Sequence, residues 1–353
     1  MRYFDEQLVA NSRPHAAWWG ELSVVREHFH RTEDAHASLM NEMTGNASSI
    51  LPRDAWMELD GITRTVMRND EGSTYMNDLM PLAKPINIGK LVSMTRVASD
   101  INSPVIRSMS GQVPVPLDKV VYDYRGVPVP IFADGYGREW REWNTLQSEN
   151  FDALADDQEA AVAKLKRDQA QYVLNGDATI VFQGYTGYGI KTNPLSKVIN
   201  LGPTGGANID LDATSTTSDA IEAFFNNVFG AMLDTNLVSK KVNLYVSPEI
   251  MRNFDRPYSG SAGFKIGSLR DALEANRRIN KIEQTFELSG NQFFGFVPSS
   301  DYIRPLIGMA TNTTAKTRLN PTDNYQFLVM GALGLEIRAD YNGKSGVFYS
   351  TDV

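Results

Sequence analysis

VPVPIFADGYGREWREWNTLQSENFDALADDQEAAVAKLKRDQAQYVLNG (residues 127–176) holds the reading of this chain. Pro128 and Pro130 remove alternate backbone donors, so the extended run they interrupt can pair on one side only. A segment of mixed charge and aromatic rings, Arg138-Glu139-Trp140-Arg141-Glu142-Trp143, comes next. Residues 149–176 then read as one long charged helix. Leu154, Gln158, Ala161, Leu165 and Tyr172 mark a narrow stripe, as expected for a helix lying on one sheet and wet elsewhere. Asn175-Gly176 supplies the left-handed stop.

Upstream, residues 90–99 and 119–132 read as two strands around a tip rich in Pro, Gly and Ser (100–116), which describes a long β-hairpin. Two strands cannot bury both of their faces, so such a hairpin must lie against another chain or another part of the fold. Residues 1–50 form a separate region in which Trp18, Leu22, Val25 and Phe29 fall on one helical stripe, ended by Gly45-Asn46-Ala47-Ser48-Ser49. Residues 51–69 read as a second helix, with Pro52 in its first turn, Asp54 near its positive end, and Trp56, Leu59, Ile62, Val66 and Met67 inward.

Downstream the chain mixes helices and strands. Residues 217–237 predict a capped helix with Ile221, Phe224, Phe225, Val228, Phe229, Met232 and Leu233 inward. Residues 242–247 predict a buried strand, 248–254 a helix opening at proline, and 268–286 a helix followed by a strand. Residues 293–298, 302–310 and 325–350 predict strands, the last a hairpin turning at Asn342-Gly343.

With 353 residues, 42% hydrophobic and 10% aromatic, the chain has ample material for a core and a prior of two or three subdomains. No apolar run is long enough to cross a bilayer, and Met1 to Gln7 has no apolar signal region. Cysteine is absent, which removes disulfides, thiolate metal sites and cysteine nucleophiles and fits a reducing compartment. A net charge of −8 argues against a dedicated nucleic-acid binder. The four histidines, His15, His28, His30 and His36, all precede the main fold, so Ser-His-Asp chemistry has no base there. Gly184-x-x-Gly187-x-Gly189 looks like a phosphate loop but leads into Asn193-Pro194, which cannot open a helix, and reads as a turn. Asp156-Asp157 and Asp210/Asp212 have the form of paired acids, and read as helix-dipole partners and loop polar groups. No catalytic, cofactor-binding or metal site is predicted.

The order of these elements resembles the middle of tailed-bacteriophage major capsid proteins of the Hong Kong 97 type and of the related encapsulins, over about residues 51–195. The Gly187–Asn193 link after the long helix is similar to the family's joint between its spine helix and its axial subdomain. The resemblance implies an α+β Hong Kong 97-type fold. Its parts would be an N-terminal arm (1–50), a first part of the peripheral subdomain (51–90), an extended hairpin loop (91–128), the peripheral subdomain with the spine helix (129–190), an axial subdomain (191–328) and C-terminal peripheral strands (329–353). It implies a non-enzymatic protein that self-assembles as hexamers and pentamers of an icosahedral shell around double-stranded DNA touched non-specifically. Scaffold, portal and decoration proteins are the candidate partners, with no membrane. The location implied is the virion, after assembly in the host cytoplasm.

Arg and Trp are favoured interface anchors, which marks the candidate contacts between subunits. They are Trp18, Trp19 and Phe29 on the arm; Arg107, Tyr122, Tyr124 and Arg125 on the hairpin; and Arg138, Trp140, Arg141, Glu142 and Trp143 before the spine helix. Two other readings stand beside this one. An encapsulin compartment would hold enzyme cargo, and the 50-residue arm weighs against it. A soluble α/β enzyme is disfavoured by the missing histidines and the absence of a coherent nucleotide loop.

Overall fold

The computed structural model describes residues 23–28, 30–33, 73–110, 117–148, 153–204, 206–259 and 267–352. The chain divides into two units, Met1–Val66 and Met67–Val353. In the first, residues 23–28 and 30–33 are helical, in keeping with the stripe read there, and Glu27 and Arg31 pair one turn apart at 2.7 Å. Trp18, Trp19, Phe29 and the helix expected over 51–69 lie outside the described residues.

The second unit is built on two larger sheets. One has the order β1-β11-β12-β4, from β1 (Lys84–Pro85), β11 (Ile303–Ala315), β12 (Tyr325–Ile337) and β4 (Ile131–Arg138). The other has the order β7-β13-β10-β8-β9, from β7 (Lys197–Asn200), β13 (Val347–Thr351), β10 (Phe293–Phe296), β8 (Val242–Val246) and β9 (Ile279–Gln284). Every residue of β8 and β10 is buried, as expected for central strands covered on both faces.

On one side of this five-stranded sheet a core forms from α4 (Ser218–Ala223), α5 (Gly230–Thr235), α6 (Pro248–Phe254) and α7 (Leu269–Glu274), with Phe225, Phe229, Phe254 and Phe293 at its centre. Thr217 caps α4, Ser247 caps α6, and Ser268 with Asp271 makes a capping box on α7. The helix expected over 217–237 is broken by a π-helical segment, Phe224–Phe229, in which the amide of Gly230 reaches back to the carbonyl of Phe225. The wider turn rotates Val228 outward, so that expected core residue is exposed.

The second core lies between the two sheets, where Tyr75 and Leu79 of α1 (Ser73–Leu79) and Ala170, Val173 and Leu174 of α3 (Ala153–Asn175) meet Tyr245, Phe294, Leu333 and Leu335. The Tyr75 hydroxyl donates to the carbonyl of Ala170 at 2.8 Å and binds the two helices. Asp78 accepts from the Tyr245 hydroxyl and pairs with Lys281 at 2.5 Å, fastening α1 to the five-stranded sheet.

α3 is the long helix read from the sequence. Ala161 and Leu165 pack on Val329 of β12, and Tyr172 meets Phe132 edge-on at 5.4 Å. Gln158, expected on the stripe, is exposed, while Gln169, Ala170, Val173 and Leu174 are buried. The stripe widens toward the C-terminus because the helix passes from the four-stranded sheet alone into the space between both sheets.

The end of α3 explains the glycine-rich loop. The amides of Ile190 and Lys191 donate to the carbonyls of Val173 and Leu174 at 2.9 Å each, and the Thr192 hydroxyl donates to that of Asn175 at 2.9 Å. The helix's open carbonyls are thus satisfied by the segment that resembled a phosphate cradle. Before it comes a hairpin, β5 (Gly176–Phe182) with β6 (Tyr185–Tyr188), turning at Gln183-Gly184. Gly176 has φ +69°, and a Cβ there would stand 2.3 Å from the amide nitrogen of Gly189. Gly176→Ala therefore combines left-handed strain with backbone overlap and is expected to cost about 3 kcal/mol or more, read as a lowered urea midpoint at unchanged slope.

Two expectations about strands are corrected. The run 119–132 is not one strand, because the chain breaks at Val129-Pro130 between β3 (Tyr122–Pro128) and β4, which join different sheets. The turn at Asn342-Gly343 forms, with the Gly343 amide donating to Asp340 at 3.0 Å, but it closes no hairpin. β12 and β13 enter separate sheets, and only a single bridge, Ala339 to Ser345, joins their ends.

Candidate functional site

The candidate site is the hairpin of β2 (Val92–Ala98) and β3, which forms a sheet of its own, with Val92 opposite Pro128 and Ala98 opposite Tyr122. Alternation gives it two faces. Thr95 and Arg125, directly opposite each other, face the body of the protein. The Thr95 hydroxyl donates to Glu336, and Arg125 donates to the carbonyls of Ala339 at 3.0 Å and Asp340 at 3.1 Å. Glu336 is almost fully buried and also receives Arg304, at 2.9 and 3.2 Å. The opposite face carries Met94, Tyr122 and Tyr124, all exposed, and Arg96 lies 4.8 Å over the Tyr122 ring.

At the hairpin base a cavity of about 720 Å³ is lined by Thr95, Tyr124 and Arg125 of the hairpin and by Tyr185, Tyr302, Glu336 and Arg338 of the body. The hairpin is thus joined to the fold by a few polar ties beside open space. Among its strand residues only Val127 packs against a core cluster. Beyond the strands the Asp118 carboxylate accepts from the amides of Asn102 and Ser103, and its bonds to the Lys119 and Asn102 amides hold its pKa below the usual carboxylate value. Arg107 is exposed on this tip, among bare Val105 and Met109.

The segment before α3 is a helix, α2 (Trp140–Ser148), and its candidate residues divide. Arg138, at the end of β4, is held by Asp157 and by Glu142 at 2.8 Å, so it ties β4, α2 and α3 together within one copy. Trp143 packs at 5.5 Å from the ring of Tyr325. Trp140 is half-buried with Arg141 5.3 Å over its ring, and Arg141 and Glu142 are exposed. The structure therefore groups Tyr122 and Tyr124 with Met94 and Arg96 on one face, which the sequence reading missed although their alternation with Thr95 was visible, and sets Arg125 with Thr95 on the other.

The acid pairs behave differently from one another. Asp157 serves Arg138, as above. Asp212 has its pKa pushed up to about 6 by a hydrogen bond to Asp210, by burial, and by the charges of Asp210 and Asp352. A folded-state value above the unfolded one means that this stabilisation is complete at low pH and is lost as pH rises through about 6. Asp212→Asn is expected to raise the thermal midpoint at pH 7.5 by about 2 °C and to change little near pH 4; scanning calorimetry at both values checks it. Among the described residues no group of three His, Cys, Asp or Glu side chains is placed to hold a metal ion. No helix among them is long and apolar enough to cross a membrane.

No curated protein matches the chain. Solved structures do. The capsid of Myoviridae phage XM1 superposes with a TM-score of 0.62 at 11% identity, covering 87% of this chain and all of the other. The capsid of the native GTA particle gives 0.58 at 11%, covering 84% and 95%. The structure from Microbacterium phage Oxtober96 gives 0.57 at 13%, covering 85% and 96%. At such identities the likeness is one of fold, and the fold is the α+β Hong Kong 97 type expected from the sequence. By its sequence over residues 46–350 the chain belongs to a family of unknown function, DUF6260.

Proposed function

We propose that this chain is the major capsid protein of a tailed phage, assembling as hexamers and pentamers into an icosahedral shell around double-stranded DNA. The observation that carries this is the β2–β3 hairpin, held to the fold by Thr95 and Arg125 and presenting Met94, Tyr122 and Tyr124 bare to solvent. Isolated two-stranded sheets with exposed aromatic faces are stable only against a partner. The match in fold to the capsid chains of phage XM1 and of the GTA particle along nearly their whole length supports the same reading. The role is structural rather than catalytic, with the chain located in the virion after assembly in the host cytoplasm. Scaffold, portal and decoration proteins are its partners in that setting, and the DNA is held without base recognition.

We assign the arm to residues 1–50 and the extended loop to 91–128, and we end the axial subdomain before β11 rather than at residue 328, because β11 shares a sheet with β12 and β4. Trp140, Arg141 and Glu142 remain contact candidates at the rim of α2. Negative-stain microscopy and light scattering of the purified chain test the proposal: closed shells or capsomer rings are expected, and a monodisperse monomer or dimer at high concentration would overturn it.

A further inference from the structure

The chain contains two Asn-Gly pairs, Asn175-Gly176 and Asn342-Gly343. An asparagine carboxamide can be attacked by the backbone nitrogen of the next residue, and glycine, lacking Cβ, leaves that nitrogen most open. The five-membered ring that forms expels ammonia. Water then opens it to aspartate, or to isoaspartate, in which the main chain runs through the former side chain.

The structure sets the two pairs apart. At Asn175 the Thr192 hydroxyl holds the carbonyl at 2.9 Å, and the amides of Ile190 and Lys191 hold the two carbonyls before it. Gly189 lies so close that a Cβ on it would stand 2.3 Å from the Gly176 nitrogen. Ring closure there requires the end of α3 to come undone. Asn342, by contrast, is exposed in a turn between β12 and β13. The bonds of this turn are local: the Gly343 amide to the Asp340 carbonyl at 3.0 Å, the Asp340 amide to the Lys344 carbonyl at 3.1 Å, and the Lys344 amide to the Asp340 carboxylate at 2.7 Å. Exposed turns held by local bonds open at low free energy, and opening releases the Gly343 amide for attack.

The same turn is an anchor. The carbonyls of Ala339 and Asp340 accept from Arg125 of β3 at 3.0 and 3.1 Å, and Ala339 bridges Ser345 across the turn. We propose that Asn342 is a self-modification site, whose cyclisation and hydrolysis loosen the grip of this turn on Arg125 and hence on the β2–β3 hairpin. The carboxamide carbon bonds to the Gly343 nitrogen as ammonia leaves, and one water then reopens the ring, so no further reactant is needed. Ring formation removes the amide proton that the Asp340 carbonyl accepts. Isoaspartate then lengthens the main chain by one carbon inside the turn, and either product adds a negative charge beside Asp340. The inference concerns the single copy and does not depend on the shell reading.

Incubation of the purified chain for days in mildly alkaline buffer tests it, read by peptide mass spectrometry with fragmentation that separates aspartate from isoaspartate. The peptide holding Asn342 is expected to gain about one mass unit and to convert at least about tenfold faster than the peptide holding Asn175. In urea, with the chain unfolded, the two should convert at similar rates. Asp340→Ala removes one bond of the turn and should speed conversion of Asn342. Hydrogen exchange on peptides covering 92–98 and 122–128 should quicken at least about threefold in the converted chain. It should hold its starting value in Asn342→Gln incubated alongside, because the longer side chain must close a six-membered ring and does so far more slowly. A folded chain in which Asn342 stays intact, or converts no faster than Asn175, would overturn the site. Full conversion with unchanged exchange across the hairpin would overturn its role as the anchor.

Discussion

A chain lacking residues 100–116 is expected to fold into a soluble single copy that closes no shells. The folding half of this rests on the core inventory: no described residue between 92 and 121 contributes to any of the four buried clusters. Ser99 and Val121 meet across the neck of the tip, the Ser99 amide donating to the Val121 carbonyl at 2.8 Å and the Val121 amide to the Ser99 hydroxyl at 2.9 Å. The strands can therefore be rejoined there at a cost of about 1 kcal/mol or less, typical of surface changes away from buried features.

The assembly half rests on multiplicity. A tip contact that is weak in one pair of copies is repeated around every ring, so losing it multiplies across the shell. Light scattering is expected to report a monomer with a wild-type thermal midpoint. Normal particles from the deleted chain would remove the hairpin from the mechanism altogether.

How far the sequence foretold this arrangement can be judged residue by residue. The spine helix was legible because its stop is chemical: Asn175-Gly176 has no other economical conformation, and Gly176 adopts φ +69°. The hairpin was legible from two β-rich runs flanking a Pro/Gly/Ser tip. α2 was not, since Arg-Glu-Trp-Arg-Glu-Trp satisfies a helical or an extended pattern equally, and its contacts are those of Glu142 with Arg138 and of Trp143 with Tyr325 far along the chain.

The distal half of β11 was invisible for a related reason. Thr-Asn-Thr-Thr-Ala has no apolar alternation because neither face is fully covered, and strand identity there comes from pairing with β12. Asn342-Gly343 announced a reversal, but turn chemistry says nothing about which sheet each flanking strand joins. Among the contact candidates, Tyr122 and Tyr124 are exposed in the single copy. Arg138 and Trp143 are spent within the copy, because charge and aromaticity serve internal ties as readily as external ones.

Glu336→Ala is expected to lower stability by roughly 3–5 kcal/mol, the range for removing one partner of a buried ion pair. The Glu336 carboxylate is 3% exposed, and Arg304, itself 18% exposed, donates to it through both Nε and Nη2. Arg338 approaches to 3.8 Å. Truncation leaves the guanidinium of Arg304 without the carboxylate that takes both of its bonds.

The same carboxylate accepts from Thr95, so it is also the inner end of the tie that orients the hairpin. Loss of Glu336 should therefore do what a core truncation elsewhere would not: it should raise hydrogen exchange across β2 and β3 under conditions where the rest of the chain is still folded. Glu336→Gln keeps the shape and one acceptor, and is expected to cost about 1.5–3 kcal/mol, the range for a hydrogen bond to a charged group. Urea midpoints at a common slope measure the first effect, and exchange on peptides covering 92–98 and 122–128 measures the second. A Glu336→Ala chain less than about 1 kcal/mol weaker than wild type, or one whose hairpin exchanges no faster, would mean that the Tyr185 ring, which lies so close over Gly126 that a Cβ there would stand 2.8 Å from it, sets the hairpin's direction rather than the buried carboxylate.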